Sequence, residues 1–156
     1  MSSDLRHILL VDDSPRDTEL ALDALAIHNL ANAVVVVRDG VEALEYLNRT
    51  GAFANRTAGN PVVVLLDLKM PRMDGLETLR AIRNTPSLRM LPVVVLTSSR
   101  EESEVIESYK LGTNAYIVKP VVFEKFVEAM KVLGTFWAVL NEQPPPHTPL
   151  RQGRTA

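Results

Sequence analysis

Two adjacent aspartates end the first apolar run of the sequence. Residues 7–11 read HILLV, and Asp12 and Asp13 follow directly. A third aspartate, Asp67, ends the later run PVVVLL in the same way. Carboxylates that lie close together favour each other's protonation unless a cation balances them, and Mg²⁺ prefers oxygen ligands. If the fold brings them together, these residues predict a divalent-cation site whose open positions bind phosphate oxygens.

Other polar side chains follow the remaining apolar runs. Thr97 and Ser98 come after VVVL, and Lys119 and Pro120 come after AYIV. A hydroxyl donates to phosphoryl oxygens, a lysine supplies a fixed positive charge, and a carboxylate serves as the nucleophile. Together with a metal, these groups suit in-line phosphoryl transfer, where positioning and charge stabilisation supply most of the catalysis.

Five short apolar runs alternate with helical patterns and must position these groups. The runs are residues 7–11, 33–37, 61–66, 92–96 and 115–118. Their apolar character is continuous rather than alternating, which is typical of strands buried on both faces of a parallel sheet. Ligand sites of such sheets lie at the carboxyl ends of the strands. The polar residues therefore converge if the first, third, fourth and fifth strands lie side by side.

Helix signals separate the strands. Ser14 fits an N-cap and Pro15 the first position of the first helix. Ser99 and Glu102 fit a capping box before the fourth helix. The apolar stripe predicted for that helix consists of Val105, Ile106 and Tyr109.

Length and composition exclude several classes of protein. The 156 residues suit one domain. Seventeen basic and 19 acidic residues give a net charge of −2, which provides no general attraction to nucleic acid or to an anionic membrane. The absence of cysteine excludes disulfides and thiolate metal sites. No apolar stretch approaches the length of a membrane span, so we expect a cytoplasmic protein.

Two segments depart from the alternating pattern. Residues 49–60, RTGAFANRTAGN, are longer than a usual connection between a helix and a strand. They are predicted to be a binding loop or a tolerated insertion. The proline-rich tail at residues 142–156 favours extended structure followed by disorder.

Four segments of the chain resemble the receiver domain of bacterial two-component response regulators. These segments are LLVDDS, LLDLKMPRMDG, VVVLTSS and AYIVKP, in that order. The resemblance covers about residues 6–140 and implies a receiver domain at 6–141. It further implies an α/β fold of the flavodoxin-like, doubly wound (βα)5 type, with a five-stranded parallel sheet in the order 2-1-3-4-5.

The resemblance also implies a role for each matching acidic position. Asp67 matches the aspartate that accepts a phosphoryl group from the phosphohistidine of a partner sensor histidine kinase. Asp12 and Asp13 match the pair that, with Asp67, holds Mg²⁺ or Mn²⁺. The main-chain carbonyl of Lys69 matches the remaining protein ligand, for which the side-chain type is unimportant.

The same resemblance implies the residues that sense the phosphoryl group. Thr97 matches the hydroxyl residue that moves toward it, and Tyr116 matches the aromatic switch that turns inward behind the threonine. Lys119 matches the lysine that pairs with the acyl phosphate, and the bond to Pro120 is expected to be cis.

The predicted fifth helix carries more apolar surface than one face needs. Besides the face suited to the sheet, a second stripe contains Ala129, Val132, Phe136 and Val139. The end of this helix resembles that of bacteriophytochrome-associated single-domain response regulators. We therefore expect a homodimer through the fourth helix, fifth strand and fifth helix, with Val132, Phe136 and Val139 at the interface.

Several functions remain open from the sequence. The favoured one is a signalling module that is not an enzyme and acts by binding an unidentified protein; a phosphorelay component or a phosphate sink is an alternative. An aspartyl-phosphate phosphatase requires an acidic residue two positions after the nucleophile, where Lys69 stands. An inert scaffold is expected to lack Asp13, Asp67 or Lys119, and all three are present. A Rossmann nucleotide binder needs a glycine-rich loop where this chain has DDSPRD.

Overall fold

The computed structural model describes residues 7–26 and 34–118, and strands and helices alternate throughout them. The elements in chain order are β1 (Ile8–Val11), α1 (Pro15–Ala26), β2 (Val34–Val37), α2 (Gly40–Asn48), a short 3₁₀ turn (Gly51–Phe53), β3 (Val63–Leu66), α3 (Gly75–Asn84), β4 (Val93–Thr97), α4 (Glu102–Lys110) and β5 (Ala115–Val118). All five strands lie within two residues of the apolar runs that predict them.

The strands form one five-stranded parallel sheet in the order β2-β1-β3-β4-β5. This order confirms the flavodoxin-like, doubly wound prediction. Its register sets the position of the acidic residues. Val11 pairs with Leu66, so Asp12 and Asp67 leave adjacent strands at the same level of the sheet.

The three central strands are buried on both faces, as their continuous apolar runs predict, whereas the edge strands β2 and β5 are only partly buried. Every residue of β1, β3 and β4 is buried. Ile8 and Leu10 pack with Ala21 of α1 on one face, while Leu9 and Val11 belong to the cluster on the other face. That second cluster includes α2 and α3 through Ala43, Leu47, Leu79 and Ile82. The burial anchors the strand ends from which the polar residues project.

The predicted start of α1 is confirmed, and α2 and α3 begin with capping residues that were not predicted. Ser14 caps α1, since its Oγ accepts a hydrogen bond from the amide of Asp17 at 3.2 Å. Asp39 caps α2, and Asp74 forms a full capping box with Glu77 at the start of α3.

The capping box predicted at Ser99 is wrong. Helix α4 begins three residues later, and its N-cap Glu101 makes no side-chain capping hydrogen bond. The Ser99 hydroxyl instead bonds the carboxylate of Glu104. The stripe predicted for this helix also fails to face the sheet, because Ile106 and Tyr109 are 48% and 53% exposed.

The long loop at residues 49–60 packs back on α2. The Arg56 guanidinium lies 4.2 Å from the ring centroid of Tyr46 and donates to the Tyr46 carbonyl at 2.8 Å. It also donates to the carbonyls of Ala58 and Gly59, each at 2.7 Å. Arg49 donates to the Ala58 carbonyl from the other side at 2.8 Å. The loop is therefore organised by its own arginines.

Among the described residues, no helix is long and apolar enough to cross a membrane. The predicted fifth helix, the tail at 142–156, Lys119 and Pro120 lie outside the described residues, as does the dimer stripe of Val132, Phe136 and Val139.

Candidate metal centre

Three carboxylates meet at the carboxyl edge of the sheet. Asp12, Asp13 and Asp67 each offer one oxygen, and these three oxygens lie within 4.8 Å of one another. Asp12 and Asp67 are buried, whereas Asp13 is exposed. The predicted acidic cluster is thus assembled by the register of β1 and β3, with an opening to solvent on the Asp13 side.

Backbone hydrogen bonds fix two of these residues. The Asp12 amide donates to the Val37 carbonyl at 3.1 Å, and the Asp67 amide donates to the Val11 carbonyl at 3.0 Å. The side chain of Asp12 accepts from the Ser14 amide at 2.9 Å. Three oxygens held this close, two of them on buried residues, suit a hard divalent cation, because a cation offsets their mutual repulsion.

The loop that follows Asp67 folds tightly over the site. The Gly75 amide donates to the Leu68 carbonyl at 2.9 Å, and Lys69 N lies 3.3 Å from Asp67 Oδ1. A Cβ on Gly75 would overlap the Asp67 carbonyl oxygen and lie 2.6 Å from Leu68 Cα. Only glycine therefore allows α3 to begin this close to the acidic cluster.

Thr97 and Tyr116 meet at Ser99. Thr97 is fully buried and leaves β4 at the same edge as Asp67. Its hydroxyl accepts from the Ser99 amide at 3.3 Å, while the Tyr116 hydroxyl donates to the Ser99 carbonyl at 3.0 Å. Burial raises the pKa of Tyr116, so its phenol stays protonated as the donor. The two residues assigned to switching thus contact the same residue from two strands.

An ion pair joins the site loop to α4. Lys69 Nζ lies 2.6 Å from Glu104 Oε2, and the other carboxylate oxygen of Glu104 bonds the Ser99 hydroxyl. Hydrogen bonds from Lys69 and then Ser99 lower the pKa of Glu104, and Glu104 in turn raises the pKa of Lys69. Glu104 could not be recognised from the sequence, because only the acidic first turn of α4 hints at it and no spacing relates it to Lys69.

The fold and the acidic cluster together define a class of protein. A doubly wound parallel sheet with three carboxylates at the carboxyl ends of β1 and β3 is an α/β protein with a ligand site at the expected edge. Residues 8–131 match the family Response regulator receiver domain, and the chain belongs to that family. Receiver domains bind a divalent metal at this acidic pocket and are phosphorylated by histidine kinases.

One similar protein is a response regulator with a solved metal-bound structure. The chain is 36% identical to Response regulator Rcp1 of Synechocystis sp. over 130 residues, which are 83% of this chain and 87% of the relative. The Mn²⁺-bound structure of Rcp1 matches with a TM-score of 0.81 and 34% identity, over 90% of this chain and 99% of that one.

Two further solved structures are similar. The phosphorylated cyanobacterial phytochrome response regulator RcpA matches with a TM-score of 0.83 and 38% identity, over 90% of this chain and 99% of that one. The bacteriophytochrome response regulator RtBRR matches with a TM-score of 0.72 and 60% identity, over 90% of this chain and 85% of that one. The chain is thus a receiver-domain response regulator related to phytochrome response regulators.

Proposed function

We propose that this protein is a response regulator that accepts a phosphoryl group on Asp67 in a Mg²⁺-dependent reaction. The observation that best supports this proposal is the cluster of Asp12, Asp13 and Asp67. One carboxylate oxygen from each residue lies within 4.8 Å of the other two. The donor is the phosphohistidine of a sensor histidine kinase, for which the similarity to RtBRR favours a bacteriophytochrome. The reaction takes place in the cytoplasm, where such a kinase domain lies.

The chain's own residues position the reacting atoms. Asp67 Oδ forms a P–O bond while the P–N bond to the kinase histidine breaks and the imidazole departs with the electron pair. Asp12, Asp13, Asp67 and the main-chain carbonyl of Lys69 would hold Mg²⁺ or Mn²⁺, which would supply positive charge to offset that of the carboxylates and the transferred group. The donor set fits because all four ligands are oxygens, the atoms that Mg²⁺ prefers.

Three residues respond to the phosphoryl group: Thr97, Tyr116 and Lys119. In this proposal the Thr97 hydroxyl donates to the phosphoryl group, Lys119 pairs with it, and Tyr116 follows Thr97 inward. That movement changes the hydrogen bonds that Thr97 and Tyr116 make to Ser99. Ser99 also bonds Glu104 on α4, so the change reaches that helix.

Helix α4 is suited to shift when Asp67 is phosphorylated. Ser108 is its one fully buried residue, and within the described part of the chain the Ser108 hydroxyl has no hydrogen-bond partner. Helix α3, by contrast, buries Thr78, Leu79 and Ile82. A helix with so little buried apolar surface shifts at low cost in free energy.

The output is a change in protein binding rather than catalysis. Ile106 and Tyr109 expose apolar surface on α4, which supports a homodimer through α4, β5 and the predicted fifth helix, with Val132, Phe136 and Val139 at its interface. A relay or phosphate-sink role uses the same chemistry and differs only in the fate of the phosphoryl group. A phosphatase is disfavoured, because Lys69 occupies the position of the general acid and pairs with Glu104.

Phosphorylation with a small donor tests the proposal. The protein is incubated with phosphoramidate and Mg²⁺, and the intact mass is measured. We expect the mass to increase by one phosphoryl group. We expect no increase when EDTA replaces Mg²⁺ or when the Asp67→Asn variant is used. A gain that persists in Asp67→Asn would refute the assignment. Light scattering before and after phosphorylation tests the dimer, and a monomer in both states would refute it.

A further inference from the structure

The loop between Asp67 and α3 contains a non-glycine residue in the left-handed region. Arg72 has a φ of 63°, a conformation that persists only where neighbouring structure holds it. The loop also supplies the carbonyl of Lys69 to the proposed cation site. What holds Arg72 therefore bears on how well that site is formed.

The Arg72 side chain is held by a buried carboxylate on a different element. Its Nε lies 2.7 Å from Asp39 Oδ2, and its Nη2 lies 3.1 Å from Asp39 Oδ1. The Asp39 side chain is 7% exposed, whereas that of Arg72 is 55% exposed. Two parallel hydrogen bonds to one carboxylate fix the direction of the guanidinium as well as its distance.

Asp39 is itself fixed at the start of α2. Its Oδ1 accepts from the Glu42 amide at 2.9 Å and so caps the helix. Burial by itself raises the pKa of Asp39, but the hydrogen bonds from Arg72 and the α2 amides outweigh it, and the pKa is lowered. The carboxylate is thus charged, bonded to the start of α2 and directed at Arg72.

A second contact ties the same loop to the same helix end. The Gly40 amide donates to the Met73 carbonyl at 3.2 Å. A Cβ on Gly40 would overlap the Thr78 hydroxyl and lie 2.9 Å from the Met73 carbonyl oxygen. The loop therefore docks on the N-terminus of α2 through adjacent residues of both segments.

From this geometry we infer that Asp39 and Arg72 are positioning residues for the cation site, acting through the main chain of residues 67–74. The inference rests on the proposed function, since it concerns the same site. Neither residue touches the metal. Their ion pair holds the loop in the one conformation that presents Asp67 and the Lys69 carbonyl together, so the metal-free protein is already arranged to bind.

Cation affinity measures this effect directly. We expect Arg72→Gln and Asp39→Asn each to weaken Mn²⁺ binding about tenfold, the size expected when the backbone of a single residue is released. Asparagine is a good N-cap, so Asp39→Asn removes the ion pair and preserves the helix start. The double variant should be no weaker than either single one, because both remove the same interaction.

A matched control separates positioning from a general loss of surface charge. Arg80 pairs with Glu107 at 3.2 Å and its side chain is 50% exposed, close to the value for Arg72. We expect Arg80→Gln to bind Mn²⁺ as the unmodified protein does. Arg72→Gly keeps the positive φ without strain but loses the ion pair, and it should bind as weakly as Arg72→Gln.

Two readouts complete the experiment. Mn²⁺ titration followed by electron paramagnetic resonance gives the affinity, and hydrogen exchange in the metal-free protein gives the mobility of residues 67–75. Faster exchange in this segment for Arg72→Gln, and not for Arg80→Gln, supports the inference. Tight Mn²⁺ binding by Arg72→Gln, tight binding by Arg72→Gly, or equal weakening in Arg80→Gln would each overturn it. An unmodified protein that binds no Mn²⁺ would instead refute the proposed function.

Discussion

Lys69 and Glu104 join the loop after the acidic cluster to the first turn of α4 across 2.6 Å. Glu104 also bonds the Ser99 hydroxyl, and the Ser99 carbonyl accepts from Tyr116. One carboxylate therefore connects the site loop, the end of β4 and, through Ser99, strand β5. These contacts stabilise the position of α4 seen in the structure.

Glu104→Gln tests whether this ion pair restrains α4. The amide keeps the size of the side chain but loses the charge that attracts Lys69. We expect faster amide hydrogen exchange across residues 102–110 in the unphosphorylated variant. Glu107→Gln is the matched control, since it makes the same change on the same helix at the more exposed pair with Arg80. Equal exchange in both variants would contradict the restraint.

Gly75→Ala tests the close approach of α3 to the acidic cluster. The added Cβ would overlap the Asp67 carbonyl oxygen, which is backbone and cannot rotate away. We expect a loss of about 1–3 kcal/mol in the free energy of unfolding, as for other overpacked sites, together with weaker Mn²⁺ binding. Gly59→Ala is the control, because a Cβ there meets nothing within 4 Å. Urea unfolding measures the free energy of unfolding of both variants. A Gly75→Ala variant as stable as Gly59→Ala would contradict the packing argument.

His7 predicts a pH dependence of stability at the other edge of the sheet. Burial and then the charge of Arg56 lower its pKa below the usual 6.5, and its Nε2 lies 2.8 Å from the Tyr46 hydroxyl. The His7 imidazole is therefore protonated more readily in the unfolded chain than in the folded protein. The resulting stability is fully present above pH 6.5 and declines as the pH falls toward the lower folded value.

Urea unfolding at about pH 7.5 and about pH 5.5 brackets the ordinary histidine range and checks this prediction. We expect the unmodified protein to lose more stability between the two conditions than His7→Gln does. His28 and His147 remain in both proteins, so their contributions cancel in the comparison. An identical loss in the two proteins would show that His7 is not responsible.

Asp13→Ala tests the electrostatic role of the exposed member of the cluster. We expect Mg²⁺ to raise the melting temperature of the unmodified protein, because a ligand that binds only the folded state stabilises it. The variant should lose most of this rise and should melt slightly higher without metal, since a like charge is gone. Asp23→Ala, on the exposed side of α1, is the control and should keep the full Mg²⁺ response. A full response in Asp13→Ala would argue against the site.

The strands and the acidic cluster could be predicted from sequence because each depends on a local pattern. Five apolar runs gave the strands, and three aspartates at or beside run ends marked one edge of a parallel sheet. The ion pairs of Glu104 and Arg72 could not be predicted in this way. Their partners are 35 and 33 positions away along the chain, so the contacts exist only once the sheet order and the helix positions are set.

Ser99 illustrates a local signal that lost to a distant contact. The sequence SREE satisfies the capping-box pattern. The Ser99 hydroxyl nevertheless bonds Glu104, five residues along the chain, and α4 begins at Glu102. The charge of Lys69 holds Glu104 at that position. The capping-box pattern covers only residues 99–102, so it does not include Glu104, which competes for the Ser99 hydroxyl.

The loop at residues 49–60 has a practical consequence for anyone who wishes to watch this protein work. The carbonyls of Arg56, Ala58 and Gly59 accept hydrogen bonds from Arg49 or Arg56, and Gly59 is exposed with open space around it. The chain contains no cysteine, so a single thiol introduced at position 59 would be unique. A fluorescent dye attached there would sit on the side of the amino ends of the strands, opposite the acidic cluster, and would follow association with a partner protein through its anisotropy without obstructing the chemistry.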